Sequence, residues 1–359
     1  MGDIMMHQDV KEAARQSADG LQGLWGEVLP LLRNADIAFG NLETPVAPVT
    51  GRPGVPFQFN APEQLPAALR ASGFTVLATA NNHAFDQGPR GVRETLERLE
   101  AERLVAIGTG RTRAEAEQVR LVTVRGLRVA FLGFTDIFNI DLNRQGDQPW
   151  VRRLDIDAAA TAVHEAKAQA DLVVVSIHWG AEYQHRPLER QRQAAAVLAE
   201  AGAGLILGHH PHVLQPVAWV GQEPHRALVA FSMGNFVSNQ DRIYDSGHCP
   251  VPEGDSRDGV ALQCRLVKWQ EADGSTRVEL QSVRCEPLWT DNNWAAHRSG
   301  QARQRVIRVV PVNGAIRAAE RDLGRLPDPG PEPKVQAWLR TLRLRRDRAA
   351  FILGSEFVN

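Results

Sequence analysis

Leu205-Ile206-Leu207-Gly208-His209-His210-Pro211-His212 runs a short apolar stretch straight into three imidazoles. The stretch is too brief for a helix and is stopped by glycine and proline, so it reads as a strand buried on both faces. Upstream, Leu172-Val173-Val174-Val175-Ser176-Ile177 repeats the pattern and ends on His178. Residues 155–170 and 188–202 carry helical spacing, the second ending at a glycine suited to a C-cap. Strand alternating with helix is the rhythm of layered α/β architecture.

The same reading extends outward. Residues 12–32, 61–72 and 88–103 are expected as helices, and 36–39 and 74–80 as strands. Residues 119–124 and 128–134 flank the Arg125-Gly126-Leu127 turn as a hairpin, and 228–232 forms a strand before Gly234-Asn235-Phe236. Residues 260–269 and 277–283 read as a terminal hairpin joined by Ala272-Asp273-Gly274-Ser275. Pro45, Pro48, Pro53 and Pro56 keep the segment after Glu43 irregular, and residues 139–153 are polar enough to be a loop. From residue 300 the chain turns Arg-rich and is divided by Pro327, Pro329, Pro331 and Pro333. The expected organisation is a main domain over 1–299 and an extension over 300–359, in which Arg340, Arg343, Arg345, Arg346 and Arg348 form a solvated helix face.

At 359 residues, 43% hydrophobic and 23% charged, the chain can bury a core without disulfides. Lys+Arg 41 against Asp+Glu 42 gives a net charge of -1 with no basic run, which argues against nucleic acid as a partner. No stretch reaches the ~18 to 20 apolar residues of a membrane span, and Met1-Gly2-Asp3 lacks the pattern of a signal peptide, so the chain reads as soluble. Cys249, Cys264 and Cys285 are too few for a disulfide scaffold and too dispersed for a thiolate metal site.

Six polar groupings stand where apolar runs end: Asp3, Asn41 with Glu43, Asn82 with His83, His178, His209 with His210 and His212, and Asn235. In open α/β sheets the carboxyl ends of strands share one crevice, so these residues are expected to converge. Imidazoles, carboxylates and an amide oxygen suit zinc, manganese or iron, and there are donors enough for two carboxylate-bridged ions. His7, His164, His185, His225, His248 and His297 are expected to be solvated, with His7 and His185 nearest to exceptions. Arg257 and Asp258, on the loop after Asn235, are placed to orient an anionic substrate.

The ordered series Gly2-Asp3-Ile4-Met5, Gly40-Asn41-Leu42-Glu43, Asn81-Asn82-His83, His178-Trp179-Gly180-Ala181-Glu182-Tyr183, Gly208-His209-His210-Pro211-His212 and Ser232-Met233-Gly234-Asn235-Phe236 resembles the poly-gamma-glutamate capsule biosynthesis proteins of the CapA type, within the calcineurin-like metallophosphoesterase superfamily. The resemblance covers about residues 1–265. It implies a four-layer α-β-β-α sandwich with a two-metal centre at one end of its sheets. Residue by residue it implies Asp3, Glu43, Asn82, His178, His210 and His212 as metal ligands, with Glu43 bridging, and His83 as the group that protonates the leaving group. His209, Asn235 and Arg257 are left for substrate. The implied cofactors are two divalent ions (Mn, Zn or Fe), and a hydroxide between them would attack a phosphoester or amide. The implied setting is the cell envelope or exterior, with a polyanionic polymer or phosphoester as substrate and capsule-synthesis proteins as partners. The rival reading is a metal-containing module that binds or exports the polymer without cleaving it.

Two departures bear on these expectations. Met5 stands where the superfamily has a histidine, and a thioether is a poor partner for a hard cation, so His7 or Gln8 is the available substitute. No apolar strand precedes Asp3, from which a truncated start with a missing upstream strand and export segment is expected.

Overall fold

Asp3 is buried from the outset, because the two residues of β1 (Asp3–Ile4) are enclosed on every side. The computed structural model describes residues 1–52, 57–271, 274, 276–324 and 334–358. Pro53, Pro56, Ala272, Asp273, Ser275, Pro327, Pro329, Pro331 and Pro333, which entered the loop, turn and tail expectations, lie outside the described residues.

The helical spacing over residues 12–32 does not yield one helix. α1 (Gln8–Gln16) stops before Ser17, two 3-10 turns span Gly20–Leu24 and Gly26–Val28, and α2 (Leu29–Arg33) starts with Pro30 in its first turn. Glycines at 20, 23 and 26 and a proline that cannot donate a helical bond interrupt what the apolar pattern alone would continue. β2 (Ala38–Leu42), α3 (Leu65–Ser72), β3 (Phe74–Ala78), α4 (Gly88–Ala101) and β4 (Val105–Ile107) follow, and β1 to β4 pair in order, all parallel.

Then come β5 (Thr109–Gly110), α5 (Arg113–Glu117), β6 (Arg120–Val124) and β7 (Leu127–Thr135), with β6 and β7 forming the expected hairpin. The polar segment 139–153 is not all loop, since β8 (Trp150–Val151) pairs with β5. α6 (Ile156–Lys167) is capped by Asp155, whose side chain accepts from the Ala158 N–H. β9 (Leu172–His178), α7 (Glu189–Glu200) and β10 (Leu205–His209) lead to β11 (Val217–Gln222) and β12 (His225–Ala230), a hairpin the sequence reading lacked. The second sheet runs β11-β12-β10-β9-β7-β6, parallel through its centre. β13 (Asn235–Val237) returns to the first sheet and pairs with β1.

The two sheets face each other: Phe39, Val76 and Ile107 of the first meet Phe131, Val174, Leu207 and Leu228 of the second. On the outer side of the first sheet, Val10, Ala14, Leu65 and Leu69 of α1 and α3 pack with Leu77, and on that of the second, Val163 and Leu198 of α6 and α7 pack with Val173 and Ile206. Each such side chain contributes about 1.5–3 kcal/mol when buried. The result is the four-layer α-β-β-α sandwich that the resemblance implies.

β14 (Asp258–Gln270) and β15 (Thr276–Asn292) make a longer hairpin than expected, and it is not terminal. After α8 (Trp294–Arg298), β16 (Ile307–Pro311) joins its edge, and α9 (Val312–Leu323) and α10 (Lys334–Leu353) pack on it through Ile316, Leu339 and Leu342. Two tail arginines depart from the solvated face: Arg345 is fully buried, paired with Asp255 and Asp258, and Arg348 is partly buried against Asp255. Lone apolar positions such as Leu342 hid this, because nothing local marks the inward side of an Arg-rich helix. Among the described residues, no helix is long and apolar enough to cross a membrane.

Candidate metal centre

Parallel pairing puts Asp3 beside Asn41 and Asn235, and His209 beside His178, so the six polar groupings meet where the strands end. Gly208 permits the last step of β10, since a Cβ there would sit 1.9 Å from the Phe231 carbonyl oxygen. Beyond it the backbone is forced: His210 and His212 adopt φ of 95° and 57°, and Tyr183, opposite them, 60°. Non-glycine residues in this region cost about 1–3 kcal/mol each and persist where surrounding contacts hold them.

Glu43 lies at the middle of the cluster. Its Oε1 is 3.6 Å from His178 Nε2 and 3.7 Å from His212 Nε2, and all three side chains are at most 2% exposed. Asn41 Nδ2 donates to Asp3 Oδ1 at 2.8 Å and lies 3.3 Å from Glu43 Oε2. Asn82 Oδ1 meets His178 Nε2 at 2.9 Å. Asp3 is 3.1 Å from His209 Nδ1 and 3.2 Å from His212 Nδ1, while Asn235 Oδ1 is 3.1 Å from the same His212 nitrogen. The His210 ring stands 4.9 Å from His178 and 5.9 Å from His212.

Burial would raise the Asp3 carboxyl, but hydrogen bonds and charge from His209 and His212 outweigh it and hold Asp3 well below the usual carboxylate range. Glu43 goes the other way, raised by burial and by Asp3 beside it. Burial first, then neighbouring imidazoles, pushes His178 well down and His210 down to about 4. These rings are therefore neutral at pH 7, with a lone pair to give.

The donor set fits divalent cations. Glu43 Oε1, His209 Nε2 and His210 Nδ1 are buried without a hydrogen-bond partner, an arrangement that costs about 1–3 kcal/mol per group unless something binds them. Asp3, Glu43 and His178 form one group with ligand atoms within 4.8 Å of one another, and Glu43, His210 and His212 form a second. Both consist of oxygen and imidazole nitrogen, the donors that zinc, manganese and iron accept.

At one edge His83 Nδ1 is 2.8 Å from Asp86 Oδ2, which also accepts from the Phe59 N–H, and the Phe59 ring packs 4.5 Å from the imidazole. Asn139 joins this edge: its Oδ1 accepts from Asn82 Nδ2 at 3.3 Å and its Nδ2 is 3.5 Å from His83 Nε2. Taking up the Asn82 N–H turns the Asn82 oxygen toward His178. Sequence reading gave Asn41 no role of its own and missed Asp86 and Asn139. Asp86 was visible as an acid one turn past His83, whereas Asn139 had no signal.

Other expectations are corrected. Arg257 does not reach a substrate: it is 4% exposed, its guanidinium donates to the Thr290 and Tyr244 carbonyls, and it stacks 4.4 Å over Trp289. Asp258 is spent on Arg345. His209 and Asn235, each 1% exposed, touch Asp3 and His212 rather than the open crevice. Met5 is buried, Gln8 is exposed, and His7 is fixed by the Asn239 N–H with its ring edge-on to Phe59. His185 is not solvated either, being 2.8 Å from Asp255 Oδ2 and 2.7 Å from the Leu214 carbonyl.

Residues 1–240 match the model of a family described as bacterial capsule synthesis protein PGA_cap. The chain is 35% identical over 286 residues to a PGA biosynthesis protein CapA of Bacillus subtilis (strain 168), covering 79% of this chain and 70% of that protein. It is 36% identical over 248 residues to a capsule biosynthesis protein CapA of Bacillus anthracis, covering 67% of this chain and 59% of that one. Among solved structures, a 5'-nucleotidase precursor from Thermus thermophilus superposes with a TM-score of 0.43 at 16% identity, over 78% of this chain and 48% of the other.

Proposed function

We propose, from the premise that the chain belongs to the bacterial capsule synthesis protein PGA_cap family, that it is a divalent-metal hydrolase serving the synthesis of a poly-glutamate polymer at the cell envelope. The observation that carries this is the Glu43 Oε1 atom, buried, unpartnered and facing both His178 and His212. Asp3, Glu43, Asn82, His178, His210 and His212 would hold two ions, with Glu43 common to both groups. Bound there, divalent cations supply the positive charge that polarises a phosphoryl or amide group and lowers the pKa of water.

The protein's own part is to hold and move a proton. Asp86 accepts from His83 Nδ1–H, which leaves Nε2 free to take a proton from solvent and pass it to the departing oxygen or nitrogen, worth about 10²- to 10⁴-fold. Phe59 packs against that ring, and Tyr183, half exposed, stands with its ring 6.3 Å from His212.

The test is turnover by Mn²⁺-loaded protein on a generic phosphodiester and on poly-gamma-glutamate. Metal-dependent cleavage of either that falls at least ~10²-fold in His83→Ala supports the proposal. No cleavage of either, with bound metal measured, rejects it. Met5 favours a second reading, a polymer-binding module, because the buried thioether gives one ion fewer hard donors. Metal-dependent retention of intact poly-gamma-glutamate without cleavage would select that reading.

A further inference from the structure

We infer that α10, which lies beyond the family-matched residues, positions the His212 side of the centre, with Arg345 and Arg348 as the positioning residues. The inference rests on the metal reading above but concerns a different part of the chain. Arg345 donates through Nε to Asp258 at 3.0 Å, through one amino group to the Val251 carbonyl at 2.8 Å and through the other to Asp255 at 2.7 Å. Arg348 donates to the second Asp255 oxygen at 2.6 Å. Two guanidinium forks thus fix the turn 251–257 in position and orientation, as planar donors do with carboxylates.

From that turn two routes reach His212. Along the first, Asp255 Oδ2 takes His185 Nε2 at 2.8 Å, and His185 Nδ1 holds the Leu214 carbonyl at 2.7 Å, two residues past His212. Along the second, the Ser256 carbonyl accepts from Asn235 Nδ2 at 2.7 Å. With its N–H2 engaged there and on Gln240, Asn235 can present only its oxygen to His212 Nδ1. His212 sits at a positive φ, where surrounding contacts must supply what local preference does not. His178 and Asn82, by contrast, are met by Asn41, Glu43 and Asn139, which belong to other elements than the turn.

The experiment uses the full chain and the variants Arg348→Ala, Arg348→Lys and Arg345→Lys. Mn²⁺ titration calorimetry on stripped protein should show one ion bound about tenfold more weakly in Arg348→Ala, the other changed less than about twofold, and partial recovery in Arg348→Lys. In metal-free protein the His212 imidazole ¹⁵N resonances should move while those of His178 stay. Unchanged His212 resonances, or equal movement of both rings, would overturn the inference whether or not metal binds. Wild-type protein that takes up no Mn²⁺ would instead reject the metal reading, leaving the resonances to decide this one. Should Arg345→Lys fail to fold, Arg348→Ala alone suffices, because Arg348 is only partly buried.

Discussion

His178 and His212 approach the same Glu43 oxygen from two sides at nearly equal distances, yet they are placed by different means. His178 is the last residue of a central parallel strand, flanked in register by Thr135 and His209. Its position follows from the sheet. His212 lies past the end of β10, in a left-handed conformation, and is fixed by side chains from residues 3 and 235 and by a turn that α10 restrains. A side chain at a strand end needs only a well-paired strand; a side chain in a loop needs partners from elsewhere in the chain.

The strongest way to break this contrast is to remove what both sides share. Glu43→Ala should reduce bound metal from about two ions per chain toward none and lower turnover by at least about 10²–10³-fold, checked by elemental analysis beside kinetics. If metal content held, the central place given to Glu43 would be wrong. Stripping wild-type protein with chelator should cost about 2.7 kcal/mol of stability for each ion removed, relative to protein in free metal at a hundred times Kd, which corresponds to a fall of several degrees in Tm. An unfolding curve indifferent to chelator would mean that no folded-state metal site exists.

Asn139→Leu sharpens the contrast, because Asn139 touches Asn82 and His83 on the His178 side. Metal affinity there should weaken about tenfold, while Asn139→Asp, which keeps an acceptor for Asn82 Nδ2, should retain most of it. Calorimetry showing the His212 side weakened instead would reverse the assignment. The smallest effect is expected far from both sides: Ser72→Ala takes the buried acceptor from Trp25 Nε1, now at 2.8 Å, and should cost about 1–2 kcal/mol in denaturant unfolding with metal binding unaltered.

The same distinction governs how much was legible. Uninterrupted apolar runs such as 172–177 and 205–207 announced parallel strands, and polar residues at their ends announced the crevice, because period and burial are local properties. The break at Ser17 was readable in principle from Gly20, Gly23, Gly26 and Pro30, but the apolar spacing masked it. Arg257 was misjudged because a guanidinium serves equally for an anion in a crevice and for carbonyls beneath a tryptophan, and only packing separates the two. Asn139 and Arg345 gave no signal, since each acts through a contact dozens of residues away in sequence.

The place of β1 between β2 and β13 also has a consequence for synthesis on the ribosome. Asp3 emerges long before Asn235, with which the second of its flanking strands begins. At ~5–20 residues per second the nascent chain would hold that carboxylate without its partner for about 10–50 s, a window in which an unpaired strand edge is open to chaperones.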